Sequence, residues 1–441
     1  MKRIFNISVF HMIILLVTLG SSLFIMTAYL YHPLRFGTFN QHFLPAKMFG
    51  VPEELAEKGI KPLYVEPKEC GWDGQFYYYI ANDVLGLKDT SKHIDADAYR
   101  YQRIGLPLLA KVLSLVVLRD WVSPVIYYLT SLLLILGAAV TGASFFKEKG
   151  VLPYWILIWS LGVGTQLTLM NGLPDAAADS LLIMALVALM RRHYGWYAVA
   201  ASLAALSREA YVLVAMTIFL THFCSKFLPI NSLSLLNIKK CCLETLLDRT
   251  MWFLFLPVLI FTLWQGYIHF HFGSPSAQAS GILGLPFQNI WHYFYSGWQQ
   301  QHPLLGPGPI GRIEAIGILL FVVLLSSCLV RLIGLLKWGS SRDSSGVGIA
   351  IGFVCLIGMY YCFGPTVMQH YTGYMKAANI FYFLFFFITA LDKRSVFKSW
   401  LYVIAIGFVI YSAYFFDRHL LEERVLTPPY HPHSKSGMYS S

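Results

Sequence analysis

The chain has 441 residues, of which 56% are hydrophobic and 13% charged, and its mean hydropathy is +0.57. An ordinary soluble domain is about 45–50% apolar and about 25% charged. Soluble, disordered, collagen-like and disulfide-stapled classes are therefore excluded, and a polytopic membrane protein is left. Lys and Arg number 33 against 23 Asp and Glu, a formal net charge of +10. In a membrane protein that excess marks cytoplasmic loops, not nucleic-acid binding.

In chain order, Lys2 and Arg3 precede an apolar segment over residues 9–31. It is longer than a signal-peptide core and lacks a small-x-small cleavage site. It reads as an uncleaved signal anchor with a cytoplasmic N-terminus. A polar stretch follows, and residues 32–121 form a first outer loop. Within it, 104–118 is apolar, carries Lys111 and is followed by Arg119, with Pro107 suited to a helix's first turn. This predicts an amphipathic helix on the outer membrane surface.

Further segments of spanning length lie at 122–146, 151–170, 175–190, 251–272, 313–336, 347–363, 377–391 and 400–416. Segment 194–223 is about ten residues too long for one span and carries Ser207-Arg208-Glu209 at its middle. A charged pair at the bilayer centre would cost several kcal/mol. The segment is therefore expected to form two helices meeting at the outer surface. Basic clusters at Lys147/Lys149, Arg191/Arg192, 226–249, 331–342 and Lys393/Arg394 then all fall on the cytoplasmic side; with one helix the last three would flip. The expectation is an all-α transmembrane bundle of about eleven spans, N-terminus in and C-terminus out. Residues 1–426 form one domain, and the tail 427–441, with its Pro, His and Ser residues, is expected to be disordered. Seven scattered cysteines read neither as a disulfide framework nor as a zinc site.

The chemistry concentrates in the first outer loop. Trp72-Asp73-Gly74-Gln75-Phe76-Tyr77-Tyr78-Tyr79-Ile80-Ala81 is followed by Ile94-Asp95-Ala96-Asp97 and by Tyr99-Arg100-Tyr101-Gln102-Arg103. Aromatics suit sugar faces and interfacial packing alike. Arginines suit a phosphate, gripped by two parallel charged hydrogen bonds. A carboxylate among aromatics can serve as a general base. Asp73 equally suits a helix cap or a turn. Asp95 and Asp97 suit a polar turn better than a metal pair, and Arg100 and Arg103 suit lipid headgroups as well as a substrate phosphate.

Further candidates lie in other outer loops. Asp175 starts a span after Asn171-Gly172-Leu173-Pro174, and Asp179 follows one turn later. Both suit helix capping, yet a carboxylate just inside a membrane usually has a function. Arg208 and Glu209 are expected to pair with each other as a clip, or Arg208 to face a phosphate. His370 and Lys376 lie in the last outer loop. Trp291 and Trp298 in the 273–312 loop suit sugar stacking or an interfacial belt.

Trp72-Asp73-Gly74-x-x-Tyr77-x-x-Ile80-Ala81 in a first outer loop resembles the integral-membrane glycosyltransferases of the GT-C superfamily, in particular GPI-anchor mannosyltransferases and bacterial membrane proteins that build surface glycopolymers. Tyr99-Arg100-Tyr101-Gln102-Arg103 and Leu106-Pro107-Leu108 fit the bacterial relatives. The acidic motif sits well past the first span, where many relatives have it immediately after. The resemblance implies a GT-C-like bundle and transfer of a sugar from a polyprenyl-phosphate donor to a glycan or lipid acceptor at the non-cytoplasmic face. It implies inversion, with Asp73 as general base and Arg100, Arg103, Asp175, Asp179, Arg208, Glu209, His370 and Lys376 binding substrate. No cofactor is implied, since arginine and lysine holding the phosphate leave no need for a divalent metal. A bacterial inner membrane is the expected location. A lipid-linked-glycan polymerase or ligase, a transporter or flippase of a lipid-linked sugar, and a structural scaffold are the alternatives; a transporter should carry ionisable residues mid-span.

Overall fold

The computed structural model describes residues 9–30, 45–62, 72–227, 248–274, 281–303, 306–307, 310–338, 344–369, 371–391, 405, 407–410 and 412–413. His370, most of the expected last span at 400–416, the bulk of the basic cluster at 226–249 and the tail 427–441 lie outside them. The described chain is almost wholly helical. Its strands are β1 (Gln301–His302) and β2 (Gly306–Pro307), an antiparallel pair. Among the described residues six helices are long and apolar enough to cross a membrane, counting 372–391 as one despite a one-residue break at Asn379. That is the pattern of a multi-pass membrane protein.

The first helix, α1 (Val9–Leu30), packs on α6 (Pro124–Glu148). Between them lie the short helices α2 (Glu53–Glu57), α3 (Gly74–Asn82), α4 (Asp97–Tyr101) and α5 (Gly105–Val116). Helix α5 covers most of segment 104–118, and the side it exposes is largely apolar. Its Leu106, Pro107 and Ala110 are buried, while Val112, Leu115, Val116 and the following Leu118 are exposed.

Segment 151–170 is not one uninterrupted helix. A 3-10 turn at Pro153–Trp155 leads into α7 (Ile156–Ser160), and α8 (Val163–Asn171) starts after a break at Leu161-Gly162. Side chains take up the carbonyls at the break. Thr165 Oγ1 donates to Trp159 O (2.8 Å) and Gln166 Nε2 to Ser160 O (2.6 Å). Helix α9 (Asp175–Met190) follows, then α10 (Tyr194–Ser207) and α11 (Val212–Phe227), separated at Arg208 and a 3-10 turn at Glu209–Tyr211. Next is α12 (Arg249–Phe272). A Cβ on Gly195, near the start of α10, would lie 4.0 Å from the Phe253 ring, and Phe219, midway along α11, sits 5.1 Å from Phe255 between ring centroids. Both legs thus meet the first turns of α12, so the chain reverses direction at Arg208.

The remaining helices are α13 (Gln288–Trp298), α14 (Ile310–Trp338), α15 (Ser344–Tyr361), α16 (Pro365–Met368), α17 (Tyr371–Ala378) and α18 (Ile380–Leu391). Helices α11 and α15 approach closely because Gly348 and Gly352 face Thr217, whose Oγ1 donates to Gly348 O at 2.9 Å. The break between α17 and α18 falls at Asn379, whose Nδ2 donates to Thr165 Oγ1 (2.6 Å) and Trp159 O (3.1 Å). Both interrupted helices therefore meet at one buried polar seam. Thr18 of α1, 3.1 Å from Ser160 Oγ, and Ser22, 3.3 Å from Gln166 Nε2, extend it. Aromatic stacks of α18 on α6, such as Phe145–Phe387 at 5.1 Å, fill the adjoining core.

Candidate functional site

At one end of the bundle the α8–α9 turn, the Arg208 turn, the C-terminus of α15 and the end of α17 come together, with α3 and α4 laid over them. Helix α3 is buried through Gly74–Ala81. It is tied down at both ends. Gln75 Oε1 accepts from Ala46 N at 2.9 Å, and Asn82 exchanges hydrogen bonds with the Val122 backbone at 2.8 and 3.2 Å. Gly74 lies directly on the α8–α9 turn, where a Cβ would fall 1.8 Å from Asn171 O. Asp73 occupies the cap position of α3, but its side chain makes no cap hydrogen bond.

Asp73 instead pairs with Arg100, Oδ1 to Nη2 at 3.0 Å. Arg100 is fixed from behind by Asp95, with Nε donating to Oδ1 at 2.9 Å and Nη2 to Oδ2 at 2.8 Å. The guanidinium carbon lies 5.0 Å from the Phe76 ring centroid, and the rings of Tyr77 and Tyr99 are also close. The Arg100 side chain is 8% exposed and that of Asp95 9%, whereas that of Asp73 is 50% exposed. Asp95, read as part of a polar turn, is the fork that holds this arginine. Asp97 starts α4 and accepts from Ala98 N at 2.8 Å.

The expected Arg208–Glu209 clip is not formed; each residue reaches a different partner. Glu209 accepts two hydrogen bonds from Arg103, Nε to Oε2 at 2.8 Å and Nη2 to Oε1 at 2.7 Å, while the same Nη2 donates to Tyr99 Oη at 2.8 Å. The close approach of Gly105 to Leu203 O and the Ser207 backbone lets α5 start against the end of α10 and makes that bridge possible. Arg208 turns the other way. Nη1 donates to Ala377 O at 3.2 Å and to Tyr211 Oη at 3.4 Å, and the guanidinium sits 3.9 Å from both Asp175 and Asp179. Asp179 accepts from Tyr211 Oη and, at 3.4 Å, from Trp159 Nε1. Tyr360 Oη also donates to Ala377 O, at 3.0 Å.

Three charge clusters thus lie at this end of the bundle: Asp73–Arg100–Asp95, Arg103–Glu209, and Arg208 with Asp175 and Asp179; Tyr99, against both Arg100 and Arg103, connects the first two. Lys376, half-buried, immediately precedes the Ala377 carbonyl that Arg208 grips. Sequence reasoning did not find the roles of Asp95, Tyr211, Trp159 or Glu314. Glu314 is a buried carboxylate near the start of α14 that accepts from Tyr374 Oη at 3.0 Å. The signal for Glu314 was present, because a carboxylate at the start of an apolar span calls for a partner. Three guanidiniums here face five carboxylates, counting Asp95. Arg100 and Arg103 are saturated by bidentate partners, while Arg208 is held more loosely. Among the described residues no group of three or more His, Cys, Asp or Glu is placed to hold a metal ion.

Searches against family models, curated proteins and solved structures returned no match to this chain.

The Arg103–Glu209 bridge gives the site a pH dependence. Burial pushes the Glu209 carboxyl up, but the Arg103 charge and its hydrogen bonds outweigh this and hold it below its ordinary value of 4.5. A depressed folded-state value contributes stability above the ordinary value, and that contribution is lost as pH falls through the lowered one. The Glu209→Gln protein is therefore expected to be less stable than the parent at neutral pH and to converge on it in acid. Thermal unfolding midpoints across pH 3–7 check this, and parallel curves would show that the bridge does not contribute.

Proposed function

We propose that the chain is a GT-C-type membrane glycosyltransferase that moves a sugar from a polyprenyl-phosphate donor to a glycan or lipid acceptor at the non-cytoplasmic face, for cell-envelope assembly. The reading carries with it about eleven spans, a cytoplasmic N-terminus and a bacterial inner membrane. The observation that supports it best is the setting of Asp73. It is a half-exposed carboxylate at the edge of a buried charge cluster, held by an arginine that is itself fixed by a second carboxylate.

In the proposed reaction the acceptor oxygen attacks the anomeric carbon and its proton passes to Asp73. The bond from that carbon to the phosphate oxygen breaks, and the electron pair leaves on the lipid phosphate. A single displacement inverts the anomeric centre. Charge at the leaving phosphate falls to Arg208, the least tightly held of the three guanidiniums, and to Lys376. Arg100 serves Asp73, and Arg103 ties the first loop to Glu209. His370 remains a candidate for the same phosphate.

A second reading, a flippase of a lipid-linked sugar, draws on the two interrupted helices that meet at Gly162 and Asn379, since discontinuous spans are a transporter feature. One experiment separates the two: purified protein in lipid vesicles with a panel of radiolabelled polyprenyl-phosphate sugars and candidate acceptors. The expected result is consumption of one donor with release of the lipid phosphate. Movement of a donor between leaflets without consumption favours the flippase, and neither outcome with any donor overturns both.

A further inference from the structure

The helix α13 is bound to the ends of two spanning helices. Its approach pairs with the last residue of α15 and the residues that follow it. Phe287 N donates to Tyr361 O, Gly284 N to Cys362 O and Gly364 N to Ile282 O, each at 2.7 Å. Its far end meets the start of α14, where a Cβ on Gly297 would lie 2.5 Å from Gly311 O. The last turn of α15 and the first turn of α14 lie at the same end of the bundle, since Tyr360 reaches Ala377 in α17 and Glu314 reaches Tyr374 in the same helix. With both ends fixed at that level, α13 lies across the end of the bundle rather than through it.

At about 100° per residue the side chains of α13 fall into three separate sectors. Ile290, Tyr293 and Gly297 are buried, Gly297 directly on Gly311 of α14 and Tyr293 beside the His302 ring. Gln288, His292 and Gln299 form an exposed polar sector. Between the two run Trp291, Phe294, Tyr295 and Trp298; the tryptophans and the tyrosine are 66, 52 and 55% exposed in the order Trp291, Trp298, Tyr295. These rings stack along the helix, with Trp291–Phe294 centroids at 6.0 Å and Phe294–Trp298 at 6.2 Å. A surface helix in water needs only two sectors, one for the core and one for solvent. A third, aromatic sector between them has a physical reason where a third medium is present.

We propose that α13 is an interfacial helix whose Trp291, Phe294, Tyr295 and Trp298 stripe seats in the headgroup region of the lipid bilayer. Tryptophan and tyrosine settle at that depth because their rings are apolar and their N–H and O–H remain hydrated. Helix α13 packs through Gly297 on Gly311 and Ala315 at the start of α14, a helix apolar enough to span whose Ile313, Ile316 and Leu319 are exposed. A bilayer around that span reaches the level at which α13 lies. A saccharide is the competing occupant, and it requires hydrogen-bonding groups around the rings; where α13 meets α14 the contact is Gly297 against Gly311 and Ala315. The inference does not depend on glycosyl transfer.

The test places a nitroxide by cysteine labelling at Trp291→Cys and Tyr295→Cys, and at His292→Cys and Gln299→Cys on the polar sector. The background has the seven native cysteines replaced, and the protein is in phosphatidylglycerol–phosphatidylethanolamine vesicles. Collision with dissolved oxygen and with a water-soluble nickel chelate is read for each site. The expected result is a several-fold higher oxygen-to-nickel ratio at positions 291 and 295 than at 292 and 299. Equal nickel access in both sectors overturns the proposal, and so does shielding of the stripe by added oligosaccharide but not by lipid. Sugar-transfer activity does not enter the readout, so the outcome stands apart from the enzymatic reading.

Discussion

The Asp73→Asn protein is expected to accumulate and insert as the parent does and to lose sugar transfer by about 10²- to 10⁴-fold, the range that a positioned general base contributes. The amide keeps the shape of the carboxylate, and its oxygen can still face Arg100 Nη2, 3.0 Å away in the parent. What it cannot do is take a proton from an acceptor hydroxyl. Because the Asp73 side chain is half exposed, the lost ion pair changes stability by less than about 1 kcal/mol. Full turnover in this variant would make Asp73 a purely structural partner of Arg100. Asp95→Asn supplies the contrast: Asp95 is buried and reaches the site through Arg100, so its replacement should lower stability first and turnover only as a consequence. Measuring donor consumption and the thermal midpoint on both proteins distinguishes the two roles.

The apolar segments were readable because a span must satisfy its own backbone and be apolar over about 20 residues, and composition alone reports that. The interruption at Arg208 was readable for the same reason, since two charges cannot sit unassisted in the middle of a span. The interruptions at Leu161-Gly162 and Asn379 were not. The groups that satisfy the freed carbonyls at Gly162 are a threonine and a glutamine a few residues on, assisted by an asparagine about two hundred residues away, with |i−j| of 220 from Asn379 to Trp159. A glycine or asparagine inside an apolar run does not announce such a partner.

The same distinction runs through the candidate site. Asp73, Arg100, Arg103, Asp175, Asp179, Arg208 and Glu209 stood out as charges beside apolar segments, and the structure gathers them. Their pairing was not readable. Glu209 and Arg103 are 106 residues apart, and sequence proximity pointed to the wrong partner, Arg208. An extended or 3-10 backbone at Arg208–Tyr211 directs successive side chains to different sides, so neighbours in sequence serve different clusters. Asp95 was undervalued because two aspartates separated by one residue suggest a metal pair or a turn, whereas the planar fork of a buried arginine is what its carboxylate matches.

Gly74→Ala is expected to be the most damaging glycine-to-alanine substitution among the described residues. The added Cβ would fall 1.8 Å from Asn171 O and 2.9 Å from the Asn171 carbonyl carbon. Both are backbone atoms, so no side-chain rotation relieves the overlap, and α3 must lift from the α8–α9 turn. That movement strains the Gln75–Ala46 hydrogen bond and the Tyr77–Tyr79 packing on one side and Tyr127 Oη to Gly172 O, 3.1 Å, on the other. Overpacking of a close-fitted site costs about 1–3 kcal/mol and occasionally more, and rigid backbone places this case at the upper end. It also separates Asp73 from the Asp175–Asp179–Arg208 cluster, so any activity should fall together with the thermal midpoint. Gly358→Ala in α15 is the matched control, since nothing lies within 4 Å of the added carbon and alanine favours the helix by up to about 1 kcal/mol. The two midpoints, measured in the same detergent, should move in opposite directions or one should not move at all. Equal, small shifts would mean that the first loop does not bear on the α8–α9 turn, and the convergence on which the site depends would be lost.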